Sequence, residues 1–167
     1  MVLIFDDELV IPTVQDFCDA VYNKLVNNSN PDDKLNIYFS TCGGDLDLVK
    51  PITDLILKYR NYIKLYLILD MDSAGFDILQ HLTDIPIYVT NTFRGSLVHT
   101  SHCDSARDID RNKHYRKSED YWNDKFIKNL LDNYHITKAE GDLLKRGKDL
   151  LLDRNRILHI FPNLIEE

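Results

Sequence analysis

Two apolar runs of strand length, each ending in a turn of small or polar residues, constrain the fold of this chain more than any other feature. KLNIYFS (34–40) ends at the turn TCGG (41–44), and YIKLYLIL (62–69) ends at DMDSAG (70–75). Near-continuous apolar runs of this length are typical of strands buried on both faces of a parallel sheet. A helical pattern follows each turn, so the sequence predicts parallel βαβ units and an α/β fold.

The rest of the chain continues the alternation of strands and helices. VLIF (2–5) predicts a first strand, Thr13 is the expected cap of a first helix, and NSNPDD (28–33) is expected to end that helix. Thr137 followed by Glu140 is typical of a capping box. The further elements that we expect are strands at 85–90 and 96–99 and helices at about 46–59, 73–82, 118–134 and 137–146.

Length and composition restrict the class of protein. A chain of 167 residues is expected to form one domain, 1–167, and a formal net charge of −7 argues against a nucleic-acid partner. No apolar run is long enough to span a membrane, and the N-terminus lacks the basic region of a signal peptide. Three cysteines at unrelated spacings favour a reduced, cytoplasmic setting.

Reactive residues follow several of the predicted strands. Ser73 and the Gly43-Gly44 pair each stand between a strand and a helix, and His99 ends the strand SLVH. The carboxyl ends of parallel strands meet at one edge of a sheet, where active groups gather. Acyl transfer needs a hydroxyl, a base, a carboxylate that orients the base, and N–H donors for the oxyanion. The sequence therefore predicts such a site at this edge.

Each position in this hypothesis also has a simpler interpretation. Ser73 could be an ordinary helix N-cap, and Gly43-Gly44 a structural turn. His102 is a rival base, and Asp153 a rival to Asp149, which itself could cap a short helix. The cluster of His99, His102, Cys103 and Asp104 suggests a metal, but it lacks the usual paired ligand spacing, so we expect none.

Several stretches of the chain together resemble the proteolytic subunit of the Clp protease (ClpP) and, more broadly, the ClpP/crotonase superfamily. Five segments occur in the order that is typical of that family. They are the first strand and helix, the strand with its Gly-Gly turn, DSAG, SLVH, and the segment from DRNKHYRK to RGKDLLLD. The intervals between these residues also agree with the family pattern: 29 positions from Gly44 to Ser73, 26 from Ser73 to His99, and 50 from His99 to Asp149.

The resemblance implies a ClpP/crotonase-like fold of stacked βαβ units with a protruding handle helix at about 115–135. It also implies a serine endopeptidase that needs no cofactor or metal. Ser73 would be the nucleophile, His99 the base and Asp149 its orienting acid. Gly44 and Ala74 would supply the oxyanion donors. Gly43 would contact the substrate.

The resemblance also implies partners. These are polypeptide substrates and further copies of the chain, assembled through the handle helix, where Tyr115, Tyr121, Trp122 and Phe126 are expected in the core or in a subunit interface. An ATPase unfoldase is a further partner of that family. The first predicted strand begins almost at Met1, so we expect no counterpart of the family's axial N-terminal loop, which argues against docking to an unfoldase.

The chain departs from the family pattern beside the predicted site. Leu69 stands where the family has glycine, Cys42 where it has proline, and Thr100-Ser101 where it has Gln-Pro. Asp70 and Asp72 flank the nucleophile and, if close to His99, would raise its pKa. These departures favour the alternative of an inactive relative with an assembly or regulatory role. A crotonase-like acyl-CoA enzyme is a third hypothesis, for which the chain is short.

Overall fold

The computed structural model describes residues 1–27, 33–100 and 112–167, without the side chains of residues 112–120 and 122. The chain divides into two compact units. The larger unit comprises Met1–Leu97 and Leu152–Glu167, and the smaller comprises Val98–Leu151. The expectation of a single domain over 1–167 stays a prediction.

Seven strands form one sheet in the described ranges. They are β1 (Val2–Asp6), β2 (Leu35–Thr41), β3 (Ile63–Met71), β4 (Ile87–Val89), β5 (Gly95–Val98), β6 (Leu150–Asp153) and β7 (Leu164–Glu166). The main path runs β1-β2-β3-β4-β7, and every neighbouring pair along it is parallel. Off this path, β5 pairs with both β3 and β6. The predicted α/β class is therefore confirmed.

Six α-helices connect these strands in the described ranges. They are α1 (Ile11–Val26), α2 (Val49–Lys58), α3 (Ala74–His81), α4 (Asn112–Asn133), α5 (Lys138–Lys145) and α6 (Arg154–Ile160). A single 3₁₀ turn, Leu46–Leu48, leads into α2. Helices α1, α2 and α3 each follow a strand and lead back to the next parallel strand, which is the βαβ arrangement that the sequence predicts.

Part of the core of the larger unit is a layer of side chains that share one face of the sheet. Phe5 of β1, Phe39 of β2 and Phe17 of α1 form an aromatic cluster with ring centroids 4.7–5.7 Å apart. Leu67 of β3 and Val89 of β4 are completely buried in the same sheet. Burial of each such side chain stabilises the fold by about 1.5–3 kcal/mol, which explains why the apolar runs of the sequence become the central strands.

Strand β3 is irregular near its carboxyl end. Phe39 pairs with Leu67, but Thr41, only two residues further along β2, pairs with Met71. The extra residues of β3 form a bulge in which Leu69 has φ +51°, a conformation that leucine rarely adopts. The Leu69 carbonyl accepts a hydrogen bond from the Arg94 N–H at 2.6 Å. The bulge changes the direction of the chain shortly before Ser73.

The predicted cap of α1 is wrong. The helix begins at Ile11, so Thr13 lies inside its first turn. Its hydroxyl donates to the Glu8 carbonyl at 2.5 Å and accepts from the Val10 N–H at 3.3 Å. Pro12 is tolerated here because the first turn of a helix needs no N–H donor from it. The expected end of this helix at 28–33 lies almost wholly outside the described residues.

Other predicted boundaries also need correction. Strand β4 is shorter than the predicted 85–90, and α4 begins at Asn112, six residues before the predicted start. Strand β5 ends at Val98, so His99 follows the strand instead of ending it. Helix α6 and strand β7 were not predicted, because they have only seven and three residues and so carry too little periodic pattern.

The smaller unit is built on α4 and α5, which pack against each other. Ile127 and Leu130 of α4 and Leu144 of α5 are buried. The predicted capping box of α5 is confirmed, since the Glu140 N–H donates to the Thr137 hydroxyl at 3.2 Å and the Glu140 carboxylate accepts from the Thr137 N–H. Among the described residues, no helix combines the length and apolarity that a membrane crossing requires.

Candidate active site

Ser73 stands in an unusual backbone conformation between β3 and α3. Its φ is +51° and its ψ is −117°, although it has a side chain. It occupies the N-cap position of α3, yet its hydroxyl makes no cap hydrogen bond. The interpretation of Ser73 as an ordinary helix cap therefore does not account for it. Strained backbone at a polar residue is more typical of functional sites than of plain turns.

The backbone around Ser73 is held by neighbouring strands. The Ser73 N–H donates to the Leu97 carbonyl at 2.8 Å, and its carbonyl accepts from the Phe76 N–H at 2.9 Å. The Asp72 N–H donates to the Thr41 carbonyl at 3.0 Å. Gly75 packs so closely that a Cβ there would lie 2.7 Å from Cγ2 of Thr41. Strands β2 and β5 thus fix the turn that presents the serine.

Gly43 lies directly against Ser73. With φ at +100°, a Cβ on Gly43 would stand 2.6 Å from the Ser73 Cβ and 3.1 Å from its Oγ. No side chain fits at that distance without moving the serine. The structure therefore brings together two of the predicted site residues, and it explains why the turn after β2 needs glycine at this position.

Gly44 is fixed by a different contact. It forms an isolated parallel bridge with Leu9, in which the Leu9 N–H donates to the Gly43 carbonyl at 2.7 Å and the Asp45 N–H donates to the Leu9 carbonyl at 2.9 Å. Within the described ranges, the N–H groups of Gly44 and of Ala74, the first residue of α3, meet no acceptor. Both are thus available as hydrogen-bond donors.

The two carboxylates that flank the turn are engaged by partners. Asp70 forms a bidentate ion pair with Arg94. The hydrogen bond to Asp70 raises the pKa of Arg94. Asp72 accepts a hydrogen bond from the Leu97 N–H at 2.6 Å through its Oδ1. Each carboxylate therefore has a structural role in holding β5 against the turn.

The predicted base and orienting acid belong to the smaller unit, whereas Ser73 and both glycines belong to the larger. His99 is exposed and directly follows β5, and Asp149 is exposed and directly precedes β6. The rival carboxylate Asp153 is the N-cap of α6, where its Oδ1 accepts from the Arg156 N–H at 2.8 Å. This capping bond favours Asp149 as the acid that remains available.

Three residues of the suggested metal cluster, His102, Cys103 and Asp104, lie outside the described residues. Across the residues that the structure does describe, no group of three His, Cys, Asp or Glu side chains is arranged to hold a metal ion.

One titratable residue near the turn was missed by the sequence analysis. Asp77 lies in the first turn of α3, and its burial raises the pKa of its carboxyl to about 6, against a smaller opposing effect of His81. The His81 ring contacts the Asp77 carbonyl through Nδ1 at 2.8 Å. The only available signal was an acid inside the apolar stretch AGFDIL, which is a weak one because exposed acids are common in first turns.

Comparisons with known proteins support the fold. No protein-family model matches the sequence, and no curated protein matches it. Among solved structures, the chain is similar to a ClpP1 point mutant from Listeria monocytogenes at 16% identity and a TM-score of 0.62. The match covers 99% of this chain and 91% of that one. The chain has a ClpP-like fold, as the sequence resemblance predicts.

Proposed function

We propose that this protein is a ClpP-like serine endopeptidase. The observation that carries the proposal is the turn at Ser73: a serine with positive φ, whose hydroxyl does not cap its helix, lies against the backbone of Gly43. Gly44 directly follows Gly43 and Ala74 directly follows Ser73, so both proposed N–H donors lie next to this contact in the chain. This combination is what a nucleophile and an oxyanion site require.

In this mechanism the Ser73 Oγ attacks the scissile carbonyl while His99 takes its proton. The carbonyl π electrons move onto the oxygen, which accepts hydrogen bonds from the two N–H donors. The proton on His99 then passes to the leaving amine as the C–N bond breaks. A water molecule then gives a proton to His99 and attacks the carbonyl of the acyl-enzyme. The ester bond to Ser73 breaks, the proton returns from His99 to the Ser73 Oγ, and the acyl group leaves as a carboxylic acid. Each oxyanion donor typically contributes about 2.7–4 kcal/mol at the transition state.

The path of β5 supports His99 as the base. Leu97, in the larger unit, accepts a hydrogen bond from the Ser73 N–H and donates one to the Asp72 carboxylate. His99 follows Leu97 by two residues along the chain. The proposal requires its imidazole to reach the Ser73 hydroxyl in the substrate complex.

The pairing of β5 with β6 supports Asp149 as the acid. Gly95, at the start of β5, packs against Leu152 and Asp153, at the end of β6. We infer from this contact that the two strands run antiparallel. Continuing that register would put the residue after β5, His99, opposite the residue before β6, Asp149.

We also propose polypeptide substrates and self-association through α4. Tyr121 of α4 is 61% exposed, so its ring is open to contact with a second copy of the chain. An ATPase unfoldase partner remains part of the proposal by analogy of fold alone. Light scattering at micromolar concentration tests the assembly, and a strict monomer would contradict it.

The inactive relative stays the second hypothesis, and one observation favours it. His99 and Asp149 are both exposed in the single chain. A catalytic pair is usually shielded from water, so this pair would need cover from substrate or from a second copy.

A serine-reactive fluorophosphonate probe separates the two hypotheses. We expect the wild type to be labelled, the Ser73→Ala variant not to be labelled, and Thr83→Ala, which removes an exposed hydroxyl after α3, to be labelled like the wild type. Hydrolysis of fluorogenic peptides should follow the same pattern. Absence of labelling in a well-folded wild type, in its assembled form, would favour the inactive relative.

A further inference from the structure

We propose that the free edge of β1 binds an extended, basic segment of another protein by adding it to the sheet as a further strand. The binding surface is the groove between this edge and α1, which we call the β1 groove. It is lined by Leu3, Ile4, Phe5, Asp6, Asp7, Thr13, Asp16, Phe17 and Ala20. This binding does not depend on the chemistry proposed for Ser73.

The backbone of β1 offers the necessary hydrogen bonds. In a parallel pair, alternate residues of a strand bond to the neighbouring strand. The Met1 carbonyl accepts from the Asn36 N–H at 2.9 Å, so the odd-numbered residues of β1 face β2. Val2, Ile4 and Asp6 therefore turn their N–H and C=O groups outward, and those of Val2 and Ile4 find no partner within the described ranges. Such an edge is a template for strand addition.

The β1 groove has room for the side chains of an added strand. Its volume is about 430 Å³. Phe5 and Phe17 are nearly buried and form its apolar floor. Side chains of a strand alternate between faces, so every second residue of the ligand would rest on this floor.

Charge identifies the class of ligand. Three carboxylates line the groove, those of Asp6, Asp7 and Asp16, and no Lys, Arg or His among the described residues lines it. The N-terminal amine of Met1 does not compensate them, because it pairs with Asp33 at 3.5 Å on the β2 side of the strand. A segment with lysine or arginine would complement these carboxylates and be steered towards them.

A second copy of the chain fits this groove less well. Each copy has a formal charge of −7, and edge-to-edge pairing would bring the aspartates of both grooves close together. We therefore assign the groove to a basic partner segment and treat self-pairing as the outcome that would contradict this assignment.

The test measures fluorescence anisotropy with a labelled nine-residue peptide of alternating valine and lysine, blocked at both ends. We expect saturable binding that weakens as salt is added. Three control peptides should bind at least about tenfold more weakly: glutamate in place of lysine, the same composition in separate blocks, and a peptide with alternate backbone nitrogens methylated. Ser73→Ala should bind the peptide like the wild type, which separates this test from that of the proposed peptidase.

Two variants test the site itself. Asp16→Lys should weaken binding at least about tenfold, whereas Asp124→Lys, an equal charge change at an exposed position of α4, should weaken it less than about twofold. Ile4→Pro removes one outward-facing N–H of β1. Edge strands tolerate proline at such positions, so this variant should stay folded and lose peptide binding.

Equal binding by Asp16→Lys and Asp124→Lys, or undiminished binding of the N-methylated peptide, would overturn the proposal whether or not the proline variant folds. A different result would assign the edge to a second copy of the chain. In that case the wild type would self-associate, Ile4→Pro would remove this self-association, and no specific peptide binding would be seen.

Discussion

The chain adopts positive φ near the carboxyl ends of both β2 and β3, but it does so with different residues. The turn after β2 reaches positive φ with Gly43 and Gly44, at +100° and +136°. The bulge within β3 and the turn that follows this strand have positive φ at Leu69 and Ser73, both at +51°. Glycine takes such conformations at no steric cost, whereas each residue with a side chain costs about 1–3 kcal/mol. The first turn is thus relaxed and the second is strained, and the strained one presents the hydroxyl.

The largest expected effect comes from removing that hydroxyl. We expect Ser73→Ala to lower peptide hydrolysis by at least about 10³-fold while the melting temperature stays equal or rises slightly. The backbone strain remains with alanine, so any loss of activity belongs to the hydroxyl. Unchanged hydrolysis by Ser73→Ala, with purified protein free of contaminating peptidase, would assign the turn a purely structural role.

Next in size is the loss of the relaxed turn. In Gly43→Ala the new Cβ would lie only 2.6 Å from the Ser73 Cβ, so we expect activity to fall about 10²-fold and stability by about 2–4 kcal/mol. Kinetic assays and urea unfolding measure the two effects. Lys24→Ala, on the surface of α1, is the control and should change neither. Full activity in Gly43→Ala would show that this contact does not position the serine.

The helices that follow the two turns also differ, in the environment of one acid. Asp54 of α2 is exposed and pairs with Lys50, whereas Asp77 of α3 is half-buried, and this burial raises the pKa of its carboxyl to about 6. In the unfolded chain Asp77 ionises near the ordinary aspartate pKa of 3.8, before the folded protein does, so this residue reduces stability as pH rises from about 4 to about 6. The full reduction is about 3 kcal/mol at most.

Asp77→Asn should therefore raise the melting temperature at pH 7.5 and have little effect at pH 4. Asp54→Asn should stay within about 0.5 kcal/mol of the wild type at both values. Thermal unfolding followed by circular dichroism at the two pH values measures both variants. An equal shift at pH 4 and pH 7.5 would mean that ionisation of Asp77 is not the cause.

The smallest expected effect is relief of strain in the bulge. Leu69→Gly removes the cost of positive φ but also removes a half-buried side chain, so we expect the free energy of unfolding to change by less than about 1 kcal/mol. Leu67→Ala, two residues earlier and fully buried, should cost about 2–5 kcal/mol. Denaturant titrations compare the two, and similar losses would contradict the assignment of strain to Leu69.

Sequence patterns predicted the relaxed turn better than the strained one. Apolar runs and glycines are local signals, and they located β2, β3, the Gly-Gly turn and the capping box at Thr137. The conformation of Leu69 depends on the Arg94 N–H, 25 residues away in the chain, and leucine has no tendency towards positive φ. The partial burial of Asp77 likewise arises only once the chain has folded. Both features depend on tertiary contacts that no local pattern encodes.

The bridge between Leu9 and Gly44 makes the first nine residues part of the scaffold of the proposed site. Deleting them would remove the acceptor for the Asp45 N–H and the donor to the Gly43 carbonyl, which together hold one side of the turn. A shortened chain could therefore retain its helices and still lose the alignment of an oxyanion donor. Expression designs for this protein should accordingly add affinity tags outside Met1 or at the opposite terminus, and leave the opening segment intact.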